Sequence, residues 1–159
     1  GARATTDRNR VPDRVVLSAA ASSLRTIQAR AAADRWKDDD LAGALAAMRV
    51  IASVAAQRSI SRKPLPAGGV VPEGRLRVDR GLIRRDAVTV SSALTPADLT
   101  GHPHLDDLRA GIALLTAAMY PRTPERDAVA IDGAIRQAID AAGRVAAERS
   151  WVKTLWARR

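Results

Sequence analysis

Apolar residues recur along most of this chain at steps of three and four, and one central stretch breaks the rhythm. Leu17, Ala20, Leu24, Ile27 and Ala31 fall on one side of a 3.6-residue helix. Pro12 and Asp13 stand just before them and suit a first helical turn. The spacing predicts a helix from Pro12 to about Trp36. Leu41, Leu45, Met48, Ala52 and Ala55 resume the pattern directly after the acidic run Asp38-Asp39-Asp40. Three adjacent carboxylates invite a metal reading, but at a helix N-terminus they cap free amides and complement the dipole. Capping is the simpler role, and it makes the first two helices an antiparallel hairpin with a short turn.

The second half repeats the scheme. Thr95-Pro96-Ala97-Asp98 combines a capping hydroxyl, a proline in the first turn and a carboxylate at the third position. That helix is expected to stop at Gly101 and restart at Pro103. Leu105, Leu108, Ile112, Leu115 and Met119 then form a clean seam, closed by Tyr120-Pro121. Thr123-Pro124-Glu125 launches the longest helix, expected to reach toward Arg158. Its buried stripe is read as Ala128, Ile131, Ile135, Ala138, Ala142 and Val145.

Residues 61–94 lose the helical period. Prolines and glycines exclude a helix through most of Ser61–Gly74, and a polyproline-like or looping path is expected there. Arg75–Val78 alternate and Val88–Val90 are mostly β-branched, which predicts a short β-hairpin turning near Asp79–Gly81 and leaning on the helices. The expected fold is all-α, a four-helix bundle of two helical hairpins. Residues 12–159 make one helical domain, 61–94 an irregular insertion, and 1–11 a flexible, basic arm with Arg3, Arg8 and Arg10.

Composition sharpens this picture in three ways. Aromatics are only 3% of the chain, so each of its 3 tryptophans carries an unusual share of large-area packing. There is no cysteine, which excludes disulfides, thiolate nucleophiles and thiolate-bound zinc. The formal net charge is +9, nearly all of it from arginine. Ala and Arg have GC-rich codons, so genomic bias accounts for much of the excess. A basic surface still attracts nucleic acid, anionic lipid or an acidic protein.

The longest uncharged stretches, Val15–Leu24 and Ala110–Pro121, fall well short of the roughly 20 residues that span a bilayer. Gly1–Arg10 does not resemble a signal peptide. The chain opens on Gly and not Met, as expected of a processed form or a piece of a longer protein. The lack of cysteine leaves the compartment open; the expected location is the cytoplasm or the face of a membrane.

Catalytic and cofactor signatures are missing: there is no G-x-S-x-G, Walker A, H-E-x-x-H or dinucleotide glycine pattern. No catalytic residue, cofactor or metal site is assigned. His102, His104, Asp106 and Asp107 are the one His/Asp cluster, and they read more simply as a helix entrance with dipole-complementing carboxylates. Ser61, flanked by Arg58, Arg62 and Lys63, reads as part of a solvated linker.

Two surfaces remain. In the closing segment Ser150–Arg159, helical spacing sends Trp156 toward the core stripe and puts Trp151 and Leu155 on a shoulder. With Arg158 and Arg159, Trp151 and Leu155 make a candidate docking patch for a protein partner or an anionic membrane surface. The plainer alternative has Trp151 covering the bundle edge beside Trp36. The second surface is Arg75, Arg77, Arg80, Arg84 and Arg85, which would form a phosphate-binding finger on a projecting hairpin. No aromatic interleaves with them, so base stacking is not expected. The expected function is thus non-enzymatic protein–protein contact or scaffolding, in a membrane-associated or secretion-type assembly. Electrostatic, largely non-specific nucleic-acid binding is the alternative.

Overall fold

The computed structural model describes residues 10–33, 35–80, 87–120 and 126–157, the side chains of residues 33 and 150–157 excepted. It is mostly helical, with a small three-stranded antiparallel sheet. Helix α1 spans Asp13–Ala33 and α2 spans Asp38–Ala55. Strands β1 (Ser61–Leu65), β2 (Leu76–Asp79) and β3 (Ala87–Ser91) follow. Short 3-10 turns at Pro96–Leu99 and Pro103–Leu105 lead into α3 (Asp106–Met119), and α4 runs Ala128–Ala157.

The apolar stripes do what their spacing requires. Leu17, Ala20, Leu24, Ile27 and Ala31 of α1 are buried, as are Leu108, Ile112 and Leu115 of α3. Helix α1 ends at Ala33, short of Trp36, which sits half-buried in the turn and packs against the core. Asp38, Asp39 and Asp40 occupy the first turn of α2, and an Asp40 carboxylate oxygen accepts from the Lys37 N–H at 3.3 Å. Arg30 of α1 donates to the same buried carboxylate at 3.0 Å. The Arg30–Asp40 pair and the approach of Ile27 to Gly43 show that α1 and α2 run antiparallel.

Helix α2 is buried nearly all round, from Asp40 through Val54 with few exposed positions. It lies against α1, α3, α4 and the sheet. Its sequence explains this: Arg49 is the one charge between Leu41 and Gln57, and a helix apolar on every side belongs in a core. Helix α4 touches α1, α2 and α3. Gln28 of α1 donates to Asp132 at 2.7 Å, and Arg149 donates to Asp13 at 3.1 Å, so α4 runs antiparallel to α1. Gly111 lets α3 approach closely, because a Cβ there would stand 2.5 Å from Cε of Met48.

At the start of α4 the expectation needs correcting. Ala128 is exposed, since the helix begins there and Asp127 caps it, accepting from the Ala130 N–H at 3.0 Å. Ile131, Ile135, Ala138, Ala142 and Val145 are buried as the stripe predicts. Thr123-Pro124 lies outside the described residues.

The middle segment is more ordered than its composition suggests. The strand order is β1-β3-β2, with Ser61 opposite Ser91 and Leu76 opposite Val90. The expected β2–β3 hairpin is present, but Asp79 pairs with Ala87, so its connection covers residues 80–86 and not a tight turn at Asp79–Gly81. Strand β1 takes the first five residues of the expected looping path, and residues 66–74 loop as expected. The strand tolerates Pro64 because it is an edge strand, where a missing N–H breaks no interior ladder. Gly68 takes a positive φ of 78° in the turn that follows, closed by a Gly69 N–H to Pro66 carbonyl bond of 2.9 Å. Leu76, Val78, Val88 and Val90 share the sheet face that joins the helical core.

Candidate functional site

A groove of about 790 Å³ lies between α1 and β2. One wall is the outer side of α1, where Arg14, Ser18, Ser22, Thr26 and Arg30 recur every four residues. Such a row runs obliquely along a helix and carries a guanidinium at each end with three hydroxyls between, about 24 Å apart along the axis. Val71, Arg75, Leu76, Arg77 and Asp79 form the facing wall. Apolar positions alone define the period that a sequence search follows, so this polar row escapes it. The i, i+4 spacing of Arg and Ser/Thr was the available signal.

The arginines here are not equivalent. Arg75 is turned into the sheet: it donates to Thr89 Oγ1 at 2.8 Å, to Ser91 Oγ at 2.7 Å and to the Thr89 carbonyl at 2.9 Å. It also reaches the Ser61 hydroxyl and carbonyl at 3.3 Å, so one guanidinium ties β1 to β3. Burial lowers its pKa from the ordinary arginine value, though an arginine stays protonated at any physiological pH. Ser61, read from sequence as part of a solvated linker, is therefore a strand residue held by Arg75. Arg77 pairs with Asp79 at 3.0 Å. Arg30 is engaged by Asp40, whereas Arg14 has no ion-pair or hydrogen-bond partner among the described residues.

Of the expected arginine finger, the structure brings Arg75 and Arg77 into this groove. Arg80 follows β2 half-buried and does not line it. Arg84 and Arg85 lie outside the described residues.

No family model, curated protein or solved structure matches this chain. What the groove and the helix ends can do therefore rests on their own geometry.

The second expected patch sits on the last turns of α4. Residues 151 and 155 are helical, their side chains and Arg158 and Arg159 being outside the described residues. Backbone placement nonetheless corrects one expectation. Trp36 is held at the start of α4, where Arg126 donates to its carbonyl at 2.8 Å. Position 151 is about 35 Å further along that helix, so Trp151 does not lie beside Trp36. Arg149, which the stripe geometry places on the seam, closes it with polar bonds. It donates to Asp13 at 3.1 Å and to the Val54 carbonyl at 2.6 Å, satisfying an end carbonyl of α2.

His102 and His104 meet edge to face with ring centroids 5.8 Å apart at the entrance to α3. Asp106 turns to Arg109 at 3.3 Å. Among the described residues, no three His, Asp or Glu side chains stand close enough to hold a metal ion. Among them, too, no helix is long and apolar enough to cross a membrane.

Proposed function

We propose that this chain is a non-enzymatic helical contact module, in which four helices packed as a bundle present the end of α4 to a protein partner. The observation that carries this reading is the length of α4. Arg149 stands level with the first residue of α1 and the last turn of α2. Residues 150–157 continue as helix past both, by about 12 Å. A helix that runs on past the ends of its neighbours can offer a flank to a partner, and Trp151, Leu155, Arg158 and Arg159 are residue types that bind at such surfaces. Such a module suits a membrane-associated or secretion-type assembly, which asks only for a rigid frame and a docking end.

A Trp151→Ala/Leu155→Ala variant tests this by melting temperature and by cross-linking in cells. An unchanged melting temperature with loss of a specific cross-linked protein supports docking. A large fall in melting temperature means that the two residues are core, and overturns it. Retained flotation of wild type with anionic liposomes, lost in the variant, would move the role to a membrane surface.

The groove favours a second reading, electrostatic binding of a nucleic-acid backbone. Arg14, Arg30, Arg75 and Arg77 line it against the single carboxylate of Asp79. A mobility shift that weakens steeply with salt, and weakens further in Arg14→Gln/Arg77→Gln, supports this use. Absence of binding to duplex DNA and RNA at low salt eliminates it.

A further inference from the structure

Where α2 ends, the chain reverses through Ala56 and Gln57 and heads into β1. The reversal is closed by two backbone bonds, Arg58 N–H to the Ser53 carbonyl at 2.8 Å and Gln57 N–H to the Val54 carbonyl at 3.2 Å. This is the Schellman pattern, with Gln57 in the left-handed region at a φ of 58° where glycine is usual. Helix α4 crosses the same corner and delivers Arg149. Between these pieces lies a cavity of about 470 Å³, lined by Asp13, Val54, Gln57, Arg58, Ser59, Ile60, Arg62 and Arg149.

Three guanidiniums share this cavity with one carboxylate, and that carboxylate is taken. Asp13 is engaged by Arg149, whose other arm holds the Val54 carbonyl and so offsets the partial negative charge at the end of α2. Among the described residues, the ion-pair partner of Arg58 is Asp98, at the long distance of 3.8 Å. Arg62 makes no ion pair among the described residues, and its Nε is buried without a hydrogen-bond partner. A buried donor left unpaired is costly, and a native chain keeps few of them. The lining thus carries two more guanidiniums than carboxylates, Arg58 being partly offset from outside by Asp98 and Arg62 by none of the described carboxylates, with the Ser59 hydroxyl and the Gln57 amide beside them.

We propose that this corner binds a phosphate-type dianion, as the free ion or as the phosphoryl group of a small phosphomonoester. Charge and geometry select it together. Two guanidinium forks match the paired oxygens of a tetrahedral dianion, whereas a halide would satisfy neither fork. An adjoining recess of about 210 Å³ shares Arg58 and Ser59 and adds Ser53, Ser92 and Asp98. Its hydroxyls and carboxylate give the polar organic part of a phosphomonoester a place to lie. The site is separate from the α1–β2 groove and does not depend on the docking role of α4.

The experiment is isothermal titration of the full chain with inorganic phosphate and, in a second arm, with a sugar phosphate, against sodium chloride at matched ionic strength. Wild type is expected to bind phosphate saturably. Arg58→Gln and Arg62→Gln are each expected to weaken binding by about tenfold or more, the loss of one charge-assisted partner. Their circular-dichroism spectra and ligand-free melting temperatures should match wild type; Arg58, with its side chain 55% exposed, keeps the test valid if the Arg62 variant folds poorly. Tighter binding of the sugar phosphate identifies a phosphomonoester ligand, and equal binding identifies the free ion. No saturable heat in wild type in either arm, or equal binding by wild type and Arg58→Gln, overturns the proposal.

Discussion

The guanidinium of Arg75 takes hold of Thr89 at two points, Nε donating to its Oγ1 at 2.8 Å and Nη2 to its carbonyl oxygen at 2.9 Å. Thr89 is buried at the middle of the central strand, so those acceptors have no easy replacement. Arg75→Ala should cost about 2–3 kcal/mol of stability, the range for charge-assisted bonds to buried groups. Arg75→Lys should recover less than half, because an ammonium lacks the planar fork that reaches Thr89 and Ser91 together. Urea denaturation midpoints check both. A neutral Arg75→Ala would show that the sheet does not rely on this clamp.

Gln57 occupies a left-handed position that a side chain disfavours. Gln57→Gly is expected to leave stability unchanged or raise it by up to about 1 kcal/mol, relief of strain being partly offset by a more flexible unfolded chain. Gln57→Val should lower it, since β-branching resists positive φ. Thermal unfolding of the pair decides; a glycine variant that melts well below wild type would refute this account of the turn.

Three helical glycines separate propensity from packing. Gly133 and Gly143 of α4 have open space where a Cβ would go, whereas at Gly111 it would meet the fully buried Met48. Gly133→Ala and Gly143→Ala should each add about 0.5–1 kcal/mol. In Gly111→Ala that gain should be cancelled by the shift forced on Met48, and Gly111→Val should lose about 1–3 kcal/mol by overpacking. Equal stabilisation at all three positions would mean that the α2–α3 contact is looser than described.

Acid should reveal the cap at Asp98. Hydrogen bonds from the Thr95 N–H and hydroxyl, and then the charge of Arg58, hold its carboxyl below the usual carboxylate range. A pKa depressed in the folded state gives stability that is full above the unfolded value, about 4, and is lost as the pH falls through the folded one. Asp98→Asn should therefore melt below wild type at neutral pH, with the gap closing below about pH 4. A gap that stays constant down to strong acid would exclude the carboxylate charge as its source.

How much of this was legible beforehand depends on whether a signal was local. The seams of α1 and α3 are local, and Leu24 or Ile112 could be placed from spacing alone. The all-round burial of α2 was also written in the chain, in the lone charge of Arg49, but a search for one stripe reads past it. Strand β1 was hidden by its own prolines, since Pro64 is harmless only if the strand lies at an edge, a fact of pairing and not of composition. The α1–β2 groove and the Arg58–Arg62–Arg149 corner were beyond reach for another reason. Each joins residues from distant parts of the chain, and Arg149 meets Asp13 across 136 positions.

Pro64 has a last consequence, for crowds of this molecule and not for one copy. An exposed strand edge is a template on which a second chain can hydrogen-bond and start a fibre. The outer margin of β1 offers Arg62, Lys63 and Pro64: two like charges that repel their own kind and a ring that donates no hydrogen bond. On the opposite margin, β2 lies against α1. A sheet this small thus ends where it begins, and at high concentration the chain should stay dispersed where a plain three-stranded sheet would stack.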